Sequence, residues 1–129
     1  MTPVHKNDGI FPSVRNAFSG LKKCITSENN AIFHLVVTIF VIAAGLLFRL
    51  SLIHWLFLLL AISLVWITEL FNTAIEFLFD VSQPKIDHRV KYAKDISAGA
   101  VLIAALFSLI VGILILVPPF IKTIVKLFS

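Results

Sequence analysis

Three long apolar segments, separated by short polar breaks, constrain the fold of this chain more than any other feature. They cover roughly residues 31–50, 52–80 and 89–117. About 20 apolar residues in a helix cross the hydrocarbon core of a bilayer, because each residue adds about 1.5 Å. The sequence therefore predicts an all-α integral membrane protein with three transmembrane helices.

The composition agrees with this prediction. The chain is 59% hydrophobic and 14% charged, with a mean hydropathy of +1.00, whereas a soluble domain has about 25% charged residues. We therefore expect one membrane-embedded domain over residues 1–129.

The basic residues cluster at segment ends and form no basic stripe, which argues against a nucleic-acid partner. Cys24 is the single cysteine, so an intrachain disulfide is excluded, and we expect it to be a small buried residue.

The amino-terminal part has a different pattern. Residues 1–9 are polar and lack the features of a secretory signal. Between residues 10 and 25, apolar side chains recur at spacings of three and four: Phe11, Val14, Phe18, Leu21 and Ile25. This spacing predicts a short amphipathic helix in the membrane interface. The alternative is a helix packed on a soluble core, but no other segment would build such a core.

Prolines and small residues suggest how the later segments end and pack. Pro84 is expected to end the second span, and Pro118-Pro119 is expected to stop the third helix. The first half of the third segment is rich in alanine, glycine and serine between Ala93 and Ala105. Small residues let helices approach closely in lipid, so we expect tight packing within the chain or between copies.

The distribution of basic residues predicts the orientation. Four basic residues precede the first span, one lies between the first and second, four lie between the second and third, and two follow the third. Loops rich in lysine and arginine stay on the cytoplasmic side. The amino terminus and the 81–95 loop should therefore be cytoplasmic, and the carboxyl terminus should lie outside.

The second apolar segment carries an unusual polar stripe. Glu69, Asn72, Glu76 and Asp80 are spaced by three, four and four residues, so a helix places them on one face. Acidic groups in a membrane helix are expensive and mark function. The predicted topology brings Glu76 and Asp80 to the same membrane depth as three more charged residues, namely Glu28, Lys94 and Asp95. Glu69 would lie about 10 Å deeper.

Clustered carboxylates repel each other unless a cation lies among them. Mg²⁺ binds through one or two carboxylates when substrate phosphates complete its ligand set, and Lys94 would neutralise phosphate charge. Together with a deeper acid at a lipid-facing depth, this pattern suggests phosphoryl transfer to a lipid hydroxyl. A polar face that lines an ion path or pairs with neighbouring basic residues explains the spacing equally simply.

The motifs themselves carry a family resemblance. Three parts of the sequence resemble the small bacterial diacylglycerol and undecaprenol kinases. They are the run from Glu69 to Glu76 followed by Asp80, the pieces Ala93-Lys94-Asp95 and Ala98-Gly99-Ala100-Val101-Leu102, and Ser27-Glu28 before the first span. The resemblance covers roughly residues 17–117. It implies a homotrimer of three-span protomers in the bacterial inner membrane, with a surface helix and with active sites between protomers near the cytoplasmic face.

The resemblance also implies cofactors and residue roles. ATP would be the phosphoryl donor and Mg²⁺ its metal. Glu28 and Glu76 would bind the metal and, through it, the nucleotide, and Glu69 would be the general base that meets the lipid substrate. Lys94 and Asp95 would contact the nucleotide. Asn72 and Asp80 would be supporting residues.

Departures from the family pattern bear on the substrate. His34 stands where the best-known diacylglycerol kinases have an acid, and the histidine resembles the undecaprenol kinase branch. We therefore expect phosphorylation of undecaprenol to undecaprenyl phosphate, with diacylglycerol phosphorylation to phosphatidic acid as the alternative. His34 fits an interhelical hydrogen bond as well as a lipid contact.

Asn16 and Asp87-His88 also depart from the pattern, so no nucleotide contact is assigned to the surface helix or to residues 85–88. An alternative of another class is a non-enzymatic membrane transport or assembly protein.

Overall fold

The computed structural model describes residues 9–82 and 87–128, which form four helices and, within these ranges, no strand. The helices are α1 (Ile10–Ser27), α2 (Asn29–Leu47), α3 (Leu52–Ser82) and α4 (His88–Phe128). Helices α2, α3 and α4 are each long and apolar enough to cross a membrane. The predicted all-α fold with three such helices is therefore confirmed. The interpretations of residues 1–8 and of Pro84 fall outside the described residues.

Helices α3 and α4 form the main packed pair and run antiparallel. Ser97 of α4 contacts Asn72 of α3, and Ser108 further along α4 donates a hydrogen bond of 3.0 Å to the carbonyl oxygen of Ala61 further back along α3. The buried residues of this interface include small ones, Ala61 and Ala104. The predicted close approach therefore occurs within the chain, between α3 and α4.

Helix α2 packs less closely against this pair. An apolar cavity of about 550 Å³ lies between the three helices, with Phe33 and His34 of α2 in its wall. Beside the cavity, the indole Nε1 of Trp66 donates a hydrogen bond of 3.1 Å to Thr38 Oγ1 and ties α3 to α2. His34 thus reaches α3 across a loosely filled interface.

The turn between α2 and α3 brings a tryptophan onto a glycine. Arg49 has a φ of 49° in this turn, which lets the chain reverse within a few residues. Trp55, in the first turn of α3, then packs over Gly45 of α2, which is buried. The absence of a side chain at Gly45 makes this close approach possible.

Replacing Gly45 by alanine is expected to destabilise the protein. A Cβ at this position would lie 2.8 Å from Trp55 Cη2, so the indole ring must move. Such overpacking costs about 1–3 kcal/mol, against a gain of about 0.5–1 kcal/mol from alanine in a helix. We expect Gly45→Ala to lower the Tm in detergent.

Gly112→Ala is the matched control, because nothing lies within 4 Å of its added Cβ, and its Tm should not fall. Equal Tm values for both variants would contradict the packing argument.

The expected stop at Pro118-Pro119 is wrong, because α4 continues through both prolines to Phe128. Each proline removes one amide donor, but its fixed φ is compatible with a helix. The flanking residues are apolar on both sides, and leaving backbone groups unpaired in lipid would cost several kcal/mol each. Thr123 Oγ1 donates a hydrogen bond of 2.9 Å to the carbonyl oxygen of Pro119. Continuing the helix is therefore the less costly arrangement.

Helix α1 docks through its last turns. Cys24 is buried, as predicted, and its Sγ lies 3.5 Å from Thr73 Oγ1 of α3. The Nζ atom of Lys23 lies 5.0 Å from the ring centroid of Phe77, a cation–π contact. Phe11 and Phe18 are exposed in the isolated chain. The carboxyl end of α1 is thus fixed against α3, beside the acidic stripe, while much of its apolar face is left uncovered.

Candidate functional site

Charged and polar side chains converge where three parts of the chain meet. These parts are the α1–α2 junction at Glu28, the second half of α3 and the first turns of α4. The antiparallel α3–α4 pair brings the last two together, and the docking of α1 on α3 brings in the first. The acidic side chains of this largely apolar protein therefore lie towards one end of helices α3 and α4.

Glu69 is the most deeply buried acid. Its side chain is 2% exposed, and its Oε2 atom has no hydrogen-bond partner among the described residues. The nearest basic group is His34 of α2, whose Nε2 lies 3.8 Å from Oε2. This distance is too long for a good hydrogen bond. A buried carboxylate oxygen that has no hydrogen-bond donor keeps its capacity to accept one.

Two further acids lie near Glu69: Glu28 at the α1–α2 junction and Glu76 further along α3. The negative charges of Glu28 and Glu76 are both close enough to influence it. Glu28 has an extended backbone conformation, with a φ of −118°, and separates α1 from α2. Glu76 lies seven residues beyond Glu69, about 10 Å along the helix. The predicted difference in depth between Glu69 and Glu76 is thus present along α3.

Glu76 is held by a side-chain network that crosses from α3 to α4. Asn72 Nδ2 donates a hydrogen bond of 3.2 Å to Glu76 Oε1. On its other side, Asn72 Oδ1 lies 2.7 Å from the hydroxyl oxygen of Ser97. Asn72 and Ser97 are each 8% exposed. Glu76 therefore has one oxygen fixed by Asn72, which leaves its other oxygen available for a ligand.

Lys94 lies at the same end of the molecule and pairs with Asp80. Its Nζ is 2.5 Å from Asp80 Oδ1, and both side chains are partly exposed. The charge of Glu76 also acts on Lys94. Exposed ion pairs contribute little to stability, so breaking the contact between Lys94 and Asp80 would cost little. Asp95 is exposed, and its side chain makes no hydrogen bond or ion pair within residues 9–82 and 87–128.

The donor set fits a metal that arrives with its substrate. Among the described residues, no group of three or more histidine, cysteine, aspartate or glutamate side chains is placed to hold a metal ion. Mg²⁺ commonly uses only one or two carboxylates, with water and substrate phosphates as its other ligands. Glu28 and Glu76 match this requirement in residue type and number.

Asp87 and Arg89 form a separate surface pair at the start of α4. Asp87 Oδ1 accepts a hydrogen bond of 2.8 Å from the backbone N–H of Arg89, and its Oδ2 lies 3.1 Å from Arg89 Nη2. Hydrogen bonds from Arg89 lower the pKa of Asp87 below its usual value. This pair caps the helix and lies outside the acidic cluster.

The structure places Glu69, Asn72 and Glu76 along α3, with Glu28 at the α1–α2 junction. Lys94 pairs with Asp80, and the side chain of Asp95 has no hydrogen-bond or ion-pair partner among the described residues. Sequence reasoning missed Ser97 as a partner of Asn72, because it was noted only as one of several small residues. It also left the role of His34 open between a hydrogen bond and a lipid contact, and the structure places His34 beside Glu69.

The fold and the site define a small helical membrane protein with an acidic centre at one end of its helices. Comparison with known proteins gives the class its name. The family model for prokaryotic diacylglycerol kinase matches residues 15–116. The chain belongs to this family and is a membrane lipid kinase, which sets aside the transport or assembly alternative. Membership in a kinase family implies ATP as the phosphoryl donor.

Two characterised relatives are similar over most of their length. The undecaprenol kinase of Bacillus subtilis (strain 168) is 37% identical over 116 residues, which cover 88% of this chain and 94% of the relative. The diacylglycerol kinase of Synechocystis sp. (strain ATCC 27184 / PCC 6803 / Kazusa) is 36% identical over 129 residues, 95% of this chain and 74% of the relative. No solved structure matches the chain.

Proposed function

We propose that this lipid kinase phosphorylates undecaprenol, with Glu69 as the general base for the lipid hydroxyl. The observation that carries the role of Glu69 is its buried Oε2 atom, which has no hydrogen-bond partner among the described residues. In the reaction, Glu69 accepts the hydroxyl proton, the lipid oxygen bonds to the γ-phosphorus of ATP, and the bond from that phosphorus to the bridging oxygen of ADP breaks. The products are a lipid phosphate and ADP.

The shallower residues bind the nucleotide in this proposal. Glu28 and Glu76 hold Mg²⁺ with the ATP phosphates, and the metal supplies neutralisation of the phosphate charge. Lys94 leaves Asp80 to contact a phosphate, and Asp95 contacts the nucleotide. Asn72 orients Glu76, and Asp80 holds Lys94 near the site until a phosphate replaces it. The roughly 10 Å between Glu69 and Glu76 along α3 separates the lipid end of the site from its nucleotide end.

We further propose that the enzyme is a homotrimer with active sites between protomers. The most apolar windows of α2, α3 and α4 are only 11%, 22% and 11% buried within one chain. Lipid and neighbouring copies must cover the remaining surface, since apolar and exposed helix faces are stable only in such surroundings. The resemblance to the family favours three copies.

The proposed location is the bacterial inner membrane, with the site facing the cytoplasm. The basic residues in α1 and in the first turns of α4 favour a cytoplasmic amino terminus, and the carboxyl terminus would then lie outside. ATP is available on the cytoplasmic side, so the orientation and the chemistry agree. The uncovered apolar face of α1 would then lie in the inner leaflet interface.

A competition assay tests the substrate. The purified protein in lipid nanodiscs receives Mg-ATP together with undecaprenol and diacylglycerol at equal mole fractions. We expect kcat/KM for undecaprenol to exceed that for diacylglycerol by about tenfold or more, which corresponds to about 1.4 kcal/mol in transition-state binding. His34 is the residue that favours undecaprenol, because identities of 37% and 36% to the two relatives do not separate the substrates.

The matched variant is His34→Glu, which introduces the acid found at this position in the best-known diacylglycerol kinases. Its ratio of kcat/KM values should move towards diacylglycerol. A wild-type preference for diacylglycerol would make that lipid the substrate and would remove the significance given to the histidine.

A further inference from the structure

The hydroxyl of Ser97 reaches the acidic site from α4 without belonging to any motif of the site. Ser97 is 8% exposed and lies one helical turn after Lys94. Its Oγ atom contacts two acceptors, Asn72 Oδ1 at 2.7 Å and the backbone carbonyl oxygen of Lys94 at 2.8 Å. The residue thus touches the neighbour of Glu76 and the backbone of Lys94 at the same time.

The chemistry of the three side chains fixes the direction of the hydrogen bonds. An ionised carboxylate only accepts hydrogen bonds, so the atom of Asn72 that faces Glu76 must be the amide nitrogen. The amide oxygen then faces Ser97, and the serine hydroxyl must donate to it. With the amide reversed, its oxygen would lie against Glu76 Oε1 at the same 3.2 Å separation, where two acceptors repel each other. The carboxylate of Glu76 thus sets the amide orientation, and in that orientation the serine hydroxyl donates its single proton to the amide oxygen and holds the far side of the Asn72 side chain.

We propose that Ser97 is a positioning residue that, through the side chain of Asn72, holds the Glu76 carboxylate in the orientation that binds the nucleotide-borne cation. This inference rests on the proposed role of Glu76. Glu76 is only partly buried, and its side chain has several rotatable bonds, so a fixed orientation needs an external contact. Residues that orient a metal ligand affect metal affinity or activity by about 10–100-fold when they are replaced.

Three variants of the full-length protein test the proposal. Ser97→Ala removes the hydroxyl, and Ser97→Thr keeps it. Ser108→Ala is the matched control, because Ser108 also donates a hydrogen bond from α4 to α3, at 3.0 Å to the carbonyl oxygen of Ala61. The measurements are the Mg²⁺ concentration for half-maximal kinase activity and the dissociation constant of Mn²⁺, measured by EPR in the presence of a non-hydrolysable ATP analogue.

We expect Ser97→Ala to raise both values by about 10–100-fold, Ser97→Thr to restore them to within a few-fold of wild type, and Ser108→Ala to leave them unchanged. A double-mutant cycle with Asn72→Ala shows whether Ser97 acts through Asn72. In that case, removing the hydroxyl has little further effect in the Asn72→Ala background. Fully additive effects would overturn the proposed route, and unchanged values in Ser97→Ala would overturn the proposal itself.

The experiment separates failure of the proposed function from failure of the proposed role of Ser97. If the wild-type protein transfers no phosphate to a lipid alcohol, the proposed function fails, whatever the Mn²⁺ measurement gives. If the wild type is active and Ser97→Ala binds Mn²⁺ as tightly as wild type does, only the role of Ser97 fails. Unfolding is monitored by the Tm of each variant, and Ser108→Ala shows how much a lost α3–α4 hydrogen bond contributes by itself.

Discussion

Glu69→Gln is expected to lower kcat for lipid phosphorylation by about 10²–10⁴-fold, the usual contribution of a general base. Glutamine has nearly the same shape as glutamate but does not accept the hydroxyl proton at neutral pH. The KM for ATP should change little, because Glu69 lies about 10 Å along α3 from Glu76. The measurement is steady-state kinetics in nanodiscs, with lipid and ATP varied separately.

The same substitution should not destabilise the protein. Glu69 is 2% exposed, and one of its oxygens has no hydrogen-bond partner among the described residues, so replacing it by a neutral amide removes a costly buried acid. We expect the Tm to be unchanged or higher. Asp87→Asn is the matched acid-to-amide control, because Asp87 caps α4 outside the cluster and asparagine is an equally good cap. A Glu69→Gln enzyme with wild-type kcat would exclude the general-base role.

Glu76→Gln is expected to lower kcat/KM for Mg-ATP by on the order of 10³-fold. A correctly bound metal contributes several kcal/mol of charge stabilisation in the transition state, and each 1.4 kcal/mol corresponds to a factor of ten. An amide retains one neutral oxygen and the approximate shape, but it loses the charge that attracts the cation. Higher Mg²⁺ concentrations should recover part of the activity, because the lost interaction weakens binding of the metal.

The Mg²⁺ dependence separates this effect from that of Glu69→Gln. Glu76→Gln should shift the half-maximal Mg²⁺ concentration upwards, and Glu69→Gln should leave it in place, since the two residues act at different ends of the site. Asp87→Asn again serves as the control. If the Mg²⁺ curve of Glu76→Gln coincided with that of wild type, Glu76 would not be a metal ligand.

The helices and the acidic stripe were predictable because both depend on spacing along the chain. Uninterrupted apolar runs give the positions of α2, α3 and α4, and offsets of three and four residues place Glu69, Asn72 and Glu76 on one face. The burial of Cys24 followed from the usual preference of that residue type. Each of these inferences uses only neighbours in sequence.

Contacts between helices were not predictable in the same way. The bond between Ser97 and Asn72 depends on how α4 is rotated against α3, and nothing in the spacing of small residues distinguishes Ser97 from its neighbours. The pairing of Lys94 with Asp80 likewise depends on the separation of the two helices. The continuation of α4 beyond Pro119 was missed because the expected breaking effect of proline gave too little weight to the cost of unpaired backbone in lipid.

The proline pair in α4 has a mechanical consequence. Without amide hydrogens at Pro118 and Pro119, the carbonyl groups four residues earlier, at Leu114 and Ile115, lose their regular partners. Helix α4 therefore has fewer backbone hydrogen bonds at this point than elsewhere. The point lies about 35 Å along the helix axis from Lys94 and just past residue 116, where the family match ends. A bend at these prolines would therefore move residues 120–128 and leave the acids at the opposite end of α4 where they are.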